Sequence, residues 1–408
     1  MKNIDKIHIW DLPGNLVYVD LADDIKKGIL DKAIKFAKTW NNLRKEIGLP
    51  KPKTRSSHAI TNIRRNYKIQ LSVLKNILHY LDANGCNFDR NLIEKNITIL
   101  AAKSNGGSKF ANAIINPNLP FNFNTTYGSR VLSSIFFDGG IDSDLYPHYR
   151  NNKIKLRKLV HESYIRVFGK ITAPFSNYKN REQIYFPKII GTILVNTMNI
   201  APGRKTKNNP AIPELIMCSS EEMKAIFLQQ AFDDEGHVHL RNKSIQFKLA
   251  CINNGHPPNL LVGIRKLLND INIKYSNIRA NDIYKTKEGQ INRKWSFSIH
   301  GENNLKNFEK KINFILPYKS KALSKILEFP YQKQYSRNTA DDIILNACKN
   351  LELREGKILS RTLAKEINRT QYRAKQVISK FVRNDILKVA KPRHGTNGAE
   401  YKLTISSE

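Results

Sequence analysis

Apolar positions along the chain change period several times, and each change marks an element. From about residue 23 to 81 the spacing is helical: LRKEIGL (43–49), SSHAITNIRRN (56–66) and IQLSVLKNILHYLD (69–82) repeat apolar side chains three and four apart. Short helices with a basic second element predict a helix-turn-helix within residues 1–105, with a plain helical bundle as the alternative. Residues 85–127 are rich in Asn, Gly and Pro, including KSNGGSK and INPNLPFNFN, and predict loops leading to a domain boundary near 125.

Between 128 and 328 one plan runs twice. Its clearer second pass begins with a helix over 221–235. HVHLR follows, with Val238 and Leu240 alternating with His237, His239 and Arg241. SIQFKLAC then sets Ile245, Phe247, Leu249 and Cys251 against Gln246 and Lys248. Period two predicts half-buried strands. LLVGIRKLLNDI is a second helix, YSNIRANDIY and KWSFSIH are two more strands, and NNLKNFEKKINFILPYKSKALSKIL is helical in two pieces broken near Pro317. The order is α-β-β-α-β-β-α, with a sheet that covers helices on one face and offers a basic face to a charged ligand. A first pass runs through SRVLSSIFFDGGIDSD, LRKLVHESYIRVFG and the strand-like QIYFPKIIGTILVNT to the basic linker 201–213. The predicted halves are 125–210 and 211–330.

Residues 338–408 form a separate predicted domain. Three helices, capped at Thr339 and Ser360 in the first two, precede two short extended runs around a Gly/Asn turn. That pattern predicts a winged helix, in which Arg373, Lys375 and Lys380 would meet DNA. The fold class is therefore α+β: two pseudo-symmetric halves forming a saddle of antiparallel sheets, flanked by an N-terminal helical domain and a C-terminal winged helix.

Charge narrows the partner. With 68 Lys and Arg against 35 Asp and Glu, the net charge is +33, spread along the chain. Nucleic acid is the expected partner. No run of about 18 apolar residues is present to span a bilayer, and the first eleven residues lack the basic start and apolar core of a signal peptide. An intracellular, cytoplasmic, nucleoid-associated protein with no membrane partner is expected. Cys86, Cys218, Cys251 and Cys348 form no CxxC pair, so they read as buried thiols.

One local feature runs against stability. AIFLQQAFDDEGHV piles Asp233, Asp234 and Glu235 onto the last turn of a helix, whose carbonyl end is already partly negative. Each exposed carboxylate there costs roughly 0.3–1 kcal/mol. Some partner other than the helix must want them.

LQQAFDDEG (228–236) lines up with the nine-residue motif LAGLIDADG, and VLSSIFFDG (131–139) lines up with it again, 97 positions earlier. On these motifs, the GRKTKNNPAIPELI linker and the FILPYKSKALSKIL ending, residues 125–330 resemble the single-chain LAGLIDADG homing endonucleases. The resemblance implies motif helices packed side by side, bringing Asp138 and Glu235 to a joint centre that holds Mg²⁺, with Mn²⁺ as a substitute. Carboxylate-held divalent ions suit phosphodiester hydrolysis, and hard oxygen ligands favour magnesium over zinc. Gly139 and Gly236 would end their helices in a conformation other residues resist, aiming each acid at the DNA. Asp233 and Asp234 are then structural, one capping or contacting the facing helix and the other exposed.

The resemblance also implies lysines near the scissile phosphates: Lys319 and Lys321 in the second half, Lys205 or Lys207 in the first. Gln246, Lys248, Arg279, Asn281, Lys294 and Ser296, on polar strand faces, are placed to read base edges. His237 and His239 share a face after Glu235; a phosphate or base contact is expected there rather than a transition-metal site, which needs a third ligand. Three departures bear on catalysis: Gln229 and Gln230 are larger than the small residues expected between the helices, and Phe137 is bulkier than its usual counterpart. The sequence thus predicts a monomeric, site-specific double-strand DNA endonuclease. The alternatives are a DNA-binding regulator on a decayed scaffold and an RNA-binding intron maturase. The absence of Cys or Ser at position 1 and of a His-Asn ending predicts a free-standing protein rather than an intein.

Overall fold

The computed structural model describes residues 6–50, 63, 67–102, 113–171, 182–328, 337–392 and 398–404. The chain divides into two units, Met1–Glu328 and Phe329–Glu408. It is an α+β protein with several antiparallel sheets.

The N-terminal region differs from its expected helical form. Strand β1 (Lys6–Ile7) is followed by β2 (Val17–Leu21), α1 (Asp23–Ala37), α2 (Trp40–Glu46), β3 (Ile69–Gln70), α3 (Leu71–Ala83), α4 (Arg90–Lys95), β4 (Ile97–Ala102), β5 (Ala113–Pro117) and β6 (Phe121–Asn122). All six of these strands lie where helix, loops or nothing extended was expected. VYVDL in β2 has the strand alternation, with Val17, Val19 and Leu21 inward, and ITILAA in β4 is almost wholly buried. SSHAITNIRRN and KSNGGSK fall almost entirely outside the described residues, so the basic second element of the predicted helix-turn-helix does too.

No boundary falls at 125. A five-stranded sheet, ordered β3-β2-β4-β5-β9, recruits β9 (Gly169–Ile171) from the predicted first half, with Ile114 opposite Ile171 and Ile115 opposite Lys170. Sharing a sheet places both segments in one unit.

In that first half, α5 (Thr126–Phe136) leads to β7 (Gly139–Ile141), β8 (Pro147–Arg150), α6 (Ile154–Phe168), β9, β10 (Gln183–Tyr185) and α7 (Lys188–Met198). The strand-like IIGTILVNT is helix: a continuous apolar run fits either state, and here it packs α7 on β4 and β5. Because β9 is diverted, the sheet is only β10-β8-β7. Short α8 (Lys205–Asn208) and α9 (Glu214–Met217) carry the linker.

The second half runs α10 (Glu221–Glu235), β11 (Gly236–His239), β12 (Ser244–Ile252), α11 (Asn259–Asp270), β13 (Arg279–Lys285), β14 (Ile291–His300), α12 (Glu302–Lys311) and α13 (Pro317–Glu328). Its sheet order is β11-β12-β14-β13. Ile245, Phe247 and Leu249 of β12 stand opposite Ile299, Phe297 and Trp295 of β14, making the inner face. Strand β11 ends at His239, earlier than predicted: Leu240 and Arg241 lie in the following turn, where Leu240 is exposed.

The second unit has α14 (Arg337–Glu355), β15 (Ile358–Leu359), α15 (Ser360–Glu366), α16 (Gln371–Arg383), β16 (Leu387–Lys391) and β17 (Glu400–Leu403), with sheet order β15-β17-β16. Its core gathers Leu351, Ile358, Leu363, Ala374, Ile378 and Phe381. Thr339 lies inside α14 and Ser360 is the first residue of α15, so neither is the cap the sequence suggested; Thr362 binds the Leu359 backbone instead. Two cysteines depart from the buried reading: Cys218 is exposed and Cys86 half-buried, while Cys251 and Cys348 are buried.

Candidate functional site

The site forms where α5 and α10 pack against each other. Each helix starts with a side-chain cap: Thr125 Oγ1 accepts from the Gly128 N–H (3.0 Å) and Ser220 Oγ from the Met223 N–H (3.4 Å). Between them Ser133 Oγ donates to the Phe227 carbonyl (2.8 Å), a bridge from one helix to the backbone of the other. Phe137 is accommodated at the end of α5 by edge-on packing against Phe227 and Phe247, with ring centroids 5.9 and 5.8 Å away.

The two glutamines that broke the small-residue pattern are fully engaged. Arg130, buried in α5, donates to Gln229 Oε1 (3.1 Å) and Gln230 Oε1 (3.4 Å). Gln229 Nε2 donates to the Ile312 carbonyl (2.8 Å), and Gln230 Nε2 to Tyr149 Oη and Asp234 Oδ1, both at 3.0 Å. Tyr149 Oη in turn donates to Asp234 Oδ1 (2.7 Å). A buried amide without partners would cost about 1–3 kcal/mol; this one has three. Burial lowers the Arg130 guanidinium to about 10, while Asp233, Tyr149 and Asp234 work in the opposite direction.

At the carboxyl ends of the two helices the acids converge. Asp138 accepts from Asn151 Nδ2 at 2.7 Å. Burial lifts its carboxyl above the ordinary aspartate range, against the pull of that hydrogen bond and of Lys205 and Lys319. Glu235 is pushed up to about 7, first by burial and then by the Asp138 carboxylate, with the same two lysines pulling it down. The two motif acids therefore share one electrostatic environment.

Asp233 is buried and caps the approach to α13, accepting from the N–H groups of Ile315 (2.7 Å) and Leu316 (3.2 Å). Asp234 is not the exposed residue expected. It is half-buried, its Oδ2 is enclosed without a partner, and its carboxyl is raised well above normal by burial and by Asp138.

Both glycines are required for space, not for a left-handed backbone. Gly236 is extended, at φ −82°. A Cβ there would lie 2.5 Å from the Phe232 carbonyl oxygen, and one at Gly139 would lie 2.4 Å from that of His148.

The lysines sort clearly. Lys319 is buried and donates to the carbonyls of Phe232 (3.1 Å), Asp233 (2.6 Å) and Gly236 (2.6 Å). An ammonium has three N–H donors, so none remains for a phosphate. Lys205 donates to the Phe137 carbonyl and, at 2.8 Å, to that of Gly139. Lys207 and Lys321 are exposed and line neither cavity described below.

Two cavities flank the acids, and each draws on both halves. One, of about 410 Å³, is lined by Asp138, Asn151, Asp233, Asp234 and Lys319. The other, of about 590 Å³, is lined by Glu235, Lys205, His237, His239, Gln246, Lys248 and Lys294. It continues onto the outer face of the four-stranded sheet, where register sets Lys248 opposite Ser296 and Ser296 opposite Arg279. Asn281 Nδ2 donates to Ser296 Oγ (2.7 Å), and His239 Nε2 lies 3.2 Å from Gln246 Oε1. The predicted strand residues thus lie together, apart from Arg241 in its turn. In the second unit Arg373 and Lys375 are exposed on α16, whereas Lys380 is paired with Asp341.

Among the described residues no three His, Cys, Asp or Glu side chains are placed to hold a metal ion, so His237 and His239 gain no third ligand. Magnesium needs fewer: one or two carboxylates, completed by water and substrate phosphates. Asp138 and Glu235, one carboxylate from each helix end and each lining a cavity, meet that number.

Tyr149, Asn151 and Arg130 were not singled out from sequence. A period-two reading of PHYR would have placed Tyr149 inward, but nothing local points it at Asp234.

No family model matches the chain. A stretch of 141 residues, 33% of the chain, is 30% identical to the probable translation initiation factor IF-2 of Methanocaldococcus jannaschii, of whose length the match covers 11%.

Proposed function

We propose that the protein is a site-specific double-strand DNA endonuclease of the LAGLIDADG homing endonuclease type, dependent on Mg²⁺ or Mn²⁺, acting as a monomer inside the cell. The observation that carries this reading is that two packed helices end at Asp138 and Glu235, with Lys205, bonded on either side of Asp138, lining the cavity of Glu235 beside a polar sheet face bearing Gln246, Lys248, Arg279 and Lys294. On this reading the two halves form a saddle over the duplex, and residues 338–408 are a winged helix that offers Arg373 and Lys375 of α16 to DNA.

Asp138, Glu235 and the phosphates would hold the ion, which supplies Lewis acidity and an activated water. The protein's own part is positioning. Arg130, Gln229 and Gln230 tie the two helices together, Asn151 orients the Asp138 carboxyl, and Tyr149 with Gln230 fixes Asp234. The sheet face binds the duplex, with Gln246 and Asn281 at base edges and the lysines at phosphates.

The test is cleavage of a plasmid carrying the native flanking locus, with and without Mg²⁺, beside Asp138→Asn and Glu235→Gln. Linear product that needs Mg²⁺ and vanishes in both variants is expected. Nanomolar binding without a cut under any condition would favour a DNA-binding regulator on a decayed scaffold. Cleavage that survives both substitutions would place the active centre elsewhere.

A further inference from the structure

Two short segments repeat one pattern in the two halves: Ile200-Ala-Pro-Gly-Arg-Lys205-Thr-Lys and Ile315-Leu-Pro-Tyr-Lys319-Ser-Lys. Each follows the last strand–helix pair of its half. The first carries one extra residue, Gly203, at φ +93°. Each returns to the carboxyl end of the helix that began its own half. Lys205 reaches the carbonyls of Phe137 and Gly139, either side of Asp138; Lys319 reaches those of Phe232, Asp233 and Gly236, around Glu235.

Carbonyls at a helix end lack intrahelical partners and carry partial negative charge, which a cation there offsets. Here that end also carries the acids, so an uncapped end would splay or repel them. The segments are held in turn by backbone: the Gly203 N–H donates to the Ile141 carbonyl (2.7 Å), and those of Ile315 and Leu316 donate to Asp233.

We propose that Lys205 and Lys319 are positioning residues, a duplicated pair of ammonium clamps that close each half and fix the direction in which Asp138 and Glu235 leave their helices. The resemblance assigned them to the scissile phosphates. The clamp's value for metal binding rests on the endonuclease reading; the closure of each half does not.

The test compares Lys319→Met, Lys319→Arg and the exposed Lys321→Met in the full chain. Mn²⁺ binding is read by electron paramagnetic resonance of the free ion, and the melting temperature is read in the absence of metal. Loss of groups that orient metal ligands weakens affinity by about 10- to 100-fold. That loss is expected for Lys319→Met, with a melting temperature several degrees lower, and Lys321→Met is expected to match wild type. Lys319→Arg keeps the charge but cannot seat a planar guanidinium on three converging carbonyls, so it is expected to fail as well; rescue by arginine would overturn the clamp in favour of long-range charge. Unchanged Mn²⁺ affinity and melting temperature in Lys319→Met, with weaker DNA binding, would overturn it in favour of a phosphate contact. Should Lys319→Met not fold, Lys205→Met, with fewer bonds to lose, takes its place with the same outcomes. If wild type binds no Mn²⁺, the metal reading fails, and the clamp is judged on melting temperature alone.

Discussion

The halves built on α5 and α10 share an element order but not a load. In the second, four strands lie in one sheet and the helix ends in three acids. In the first, one strand has left for the N-terminal sheet, three short strands remain, and the corresponding turn reads Phe136-Phe137-Asp138. Yet the centre is assembled from both, since Asp138 lines a cavity with Lys319 and Glu235 lines one with Lys205. The two segments share an order of elements, but the structural duties fall mostly on one side. Asp233 and Asp234 tie down α13 and Tyr149, whereas their counterparts Phe136 and Phe137 are buried core.

The largest effect is expected at the shared acids. Asp138→Asn and Glu235→Gln should each lower Mg²⁺-dependent plasmid linearisation by about 100-fold or more, since a metal's charge stabilisation is worth several kcal/mol. Asp234→Asn, whose Oδ1 contacts survive in an amide, should cost less. Nicked and linear products on one gel measure all three. If Asp138→Asn cuts as wild type does while Glu235→Gln is dead, the halves are not partners in one centre.

pH separates the same groups next. Glu235 stands at about 7 in the fold against 4.5 when free. A raised carboxyl favours the protonated fold, so its contribution to stability is present below pH about 4.5 and is lost as pH climbs through about 7. Metal demands the ionised form. Without metal the melting temperature should therefore fall over that window, while Mn²⁺ affinity rises by up to about tenfold per pH unit and levels above about 7. Calorimetry in chelator and Mn²⁺ titrations at matched pH check both trends, and Glu235→Gln should flatten each.

How much of this could be read beforehand follows the range of each signal. Amphipathic periods of three to four residues located α11 and both pieces broken at Pro317, because those signals are local, whereas α10 is buried on most of its sides and was marked by its motif instead. The long run of IIGTILVNT was ambiguous, since burial on all sides erases periodicity. The N-terminal sheet was hidden because β2 pairs with β3 and β4 across tens of residues and β9 joins β5 from beyond residue 168. At the site, Asp138 and Glu235 could be aligned as motif positions. Tyr149, Asn151 and Arg130 could not, as each matters only through a residue distant in the chain. Lys205 and Lys319 could be picked out as cations, but sequence does not show the backbone carbonyls that surround them.

A stability contrast tests the helix interface. Gln230 and Ser133 occupy corresponding motif positions, but Gln230 serves Arg130, Tyr149 and Asp234 while Ser133 serves one carbonyl. Gln230→Leu removes one partner each from buried Arg130, Tyr149 and Asp234 Oδ1, leaving Arg130 with Gln229 and Asp234 Oδ1 with Tyr149. It should cost about 1–3 kcal/mol in urea unfolding, and Ser133→Ala about 0.5–1.5 kcal/mol. Equal costs would mean that the network adds nothing beyond its pairwise bonds.

The smallest effects belong to the outer faces, where the halves differ most in area. Gln246 lies on the larger face beside the centre, and its amide can pair with an adenine edge; removing it should reduce discrimination at one base position by about 1–3 kcal/mol. Lys248 and, on the first half, exposed Arg150 meet phosphates on this reading. Their alanine variants should weaken binding evenly across sequences and each reduce the salt slope by about one. The first half's outer face, with His148, Arg150, Gln183 and Tyr185 on two paired strands, offers fewer groups for base reading. Substituted duplexes should therefore show tighter sequence demand under the four-stranded sheet than under the three-stranded one, as read by competition binding at fixed salt. Equal demand on both sides would show that the lost strand costs no specificity, and that the N-terminal sheet which took β9 compensates for it at the DNA.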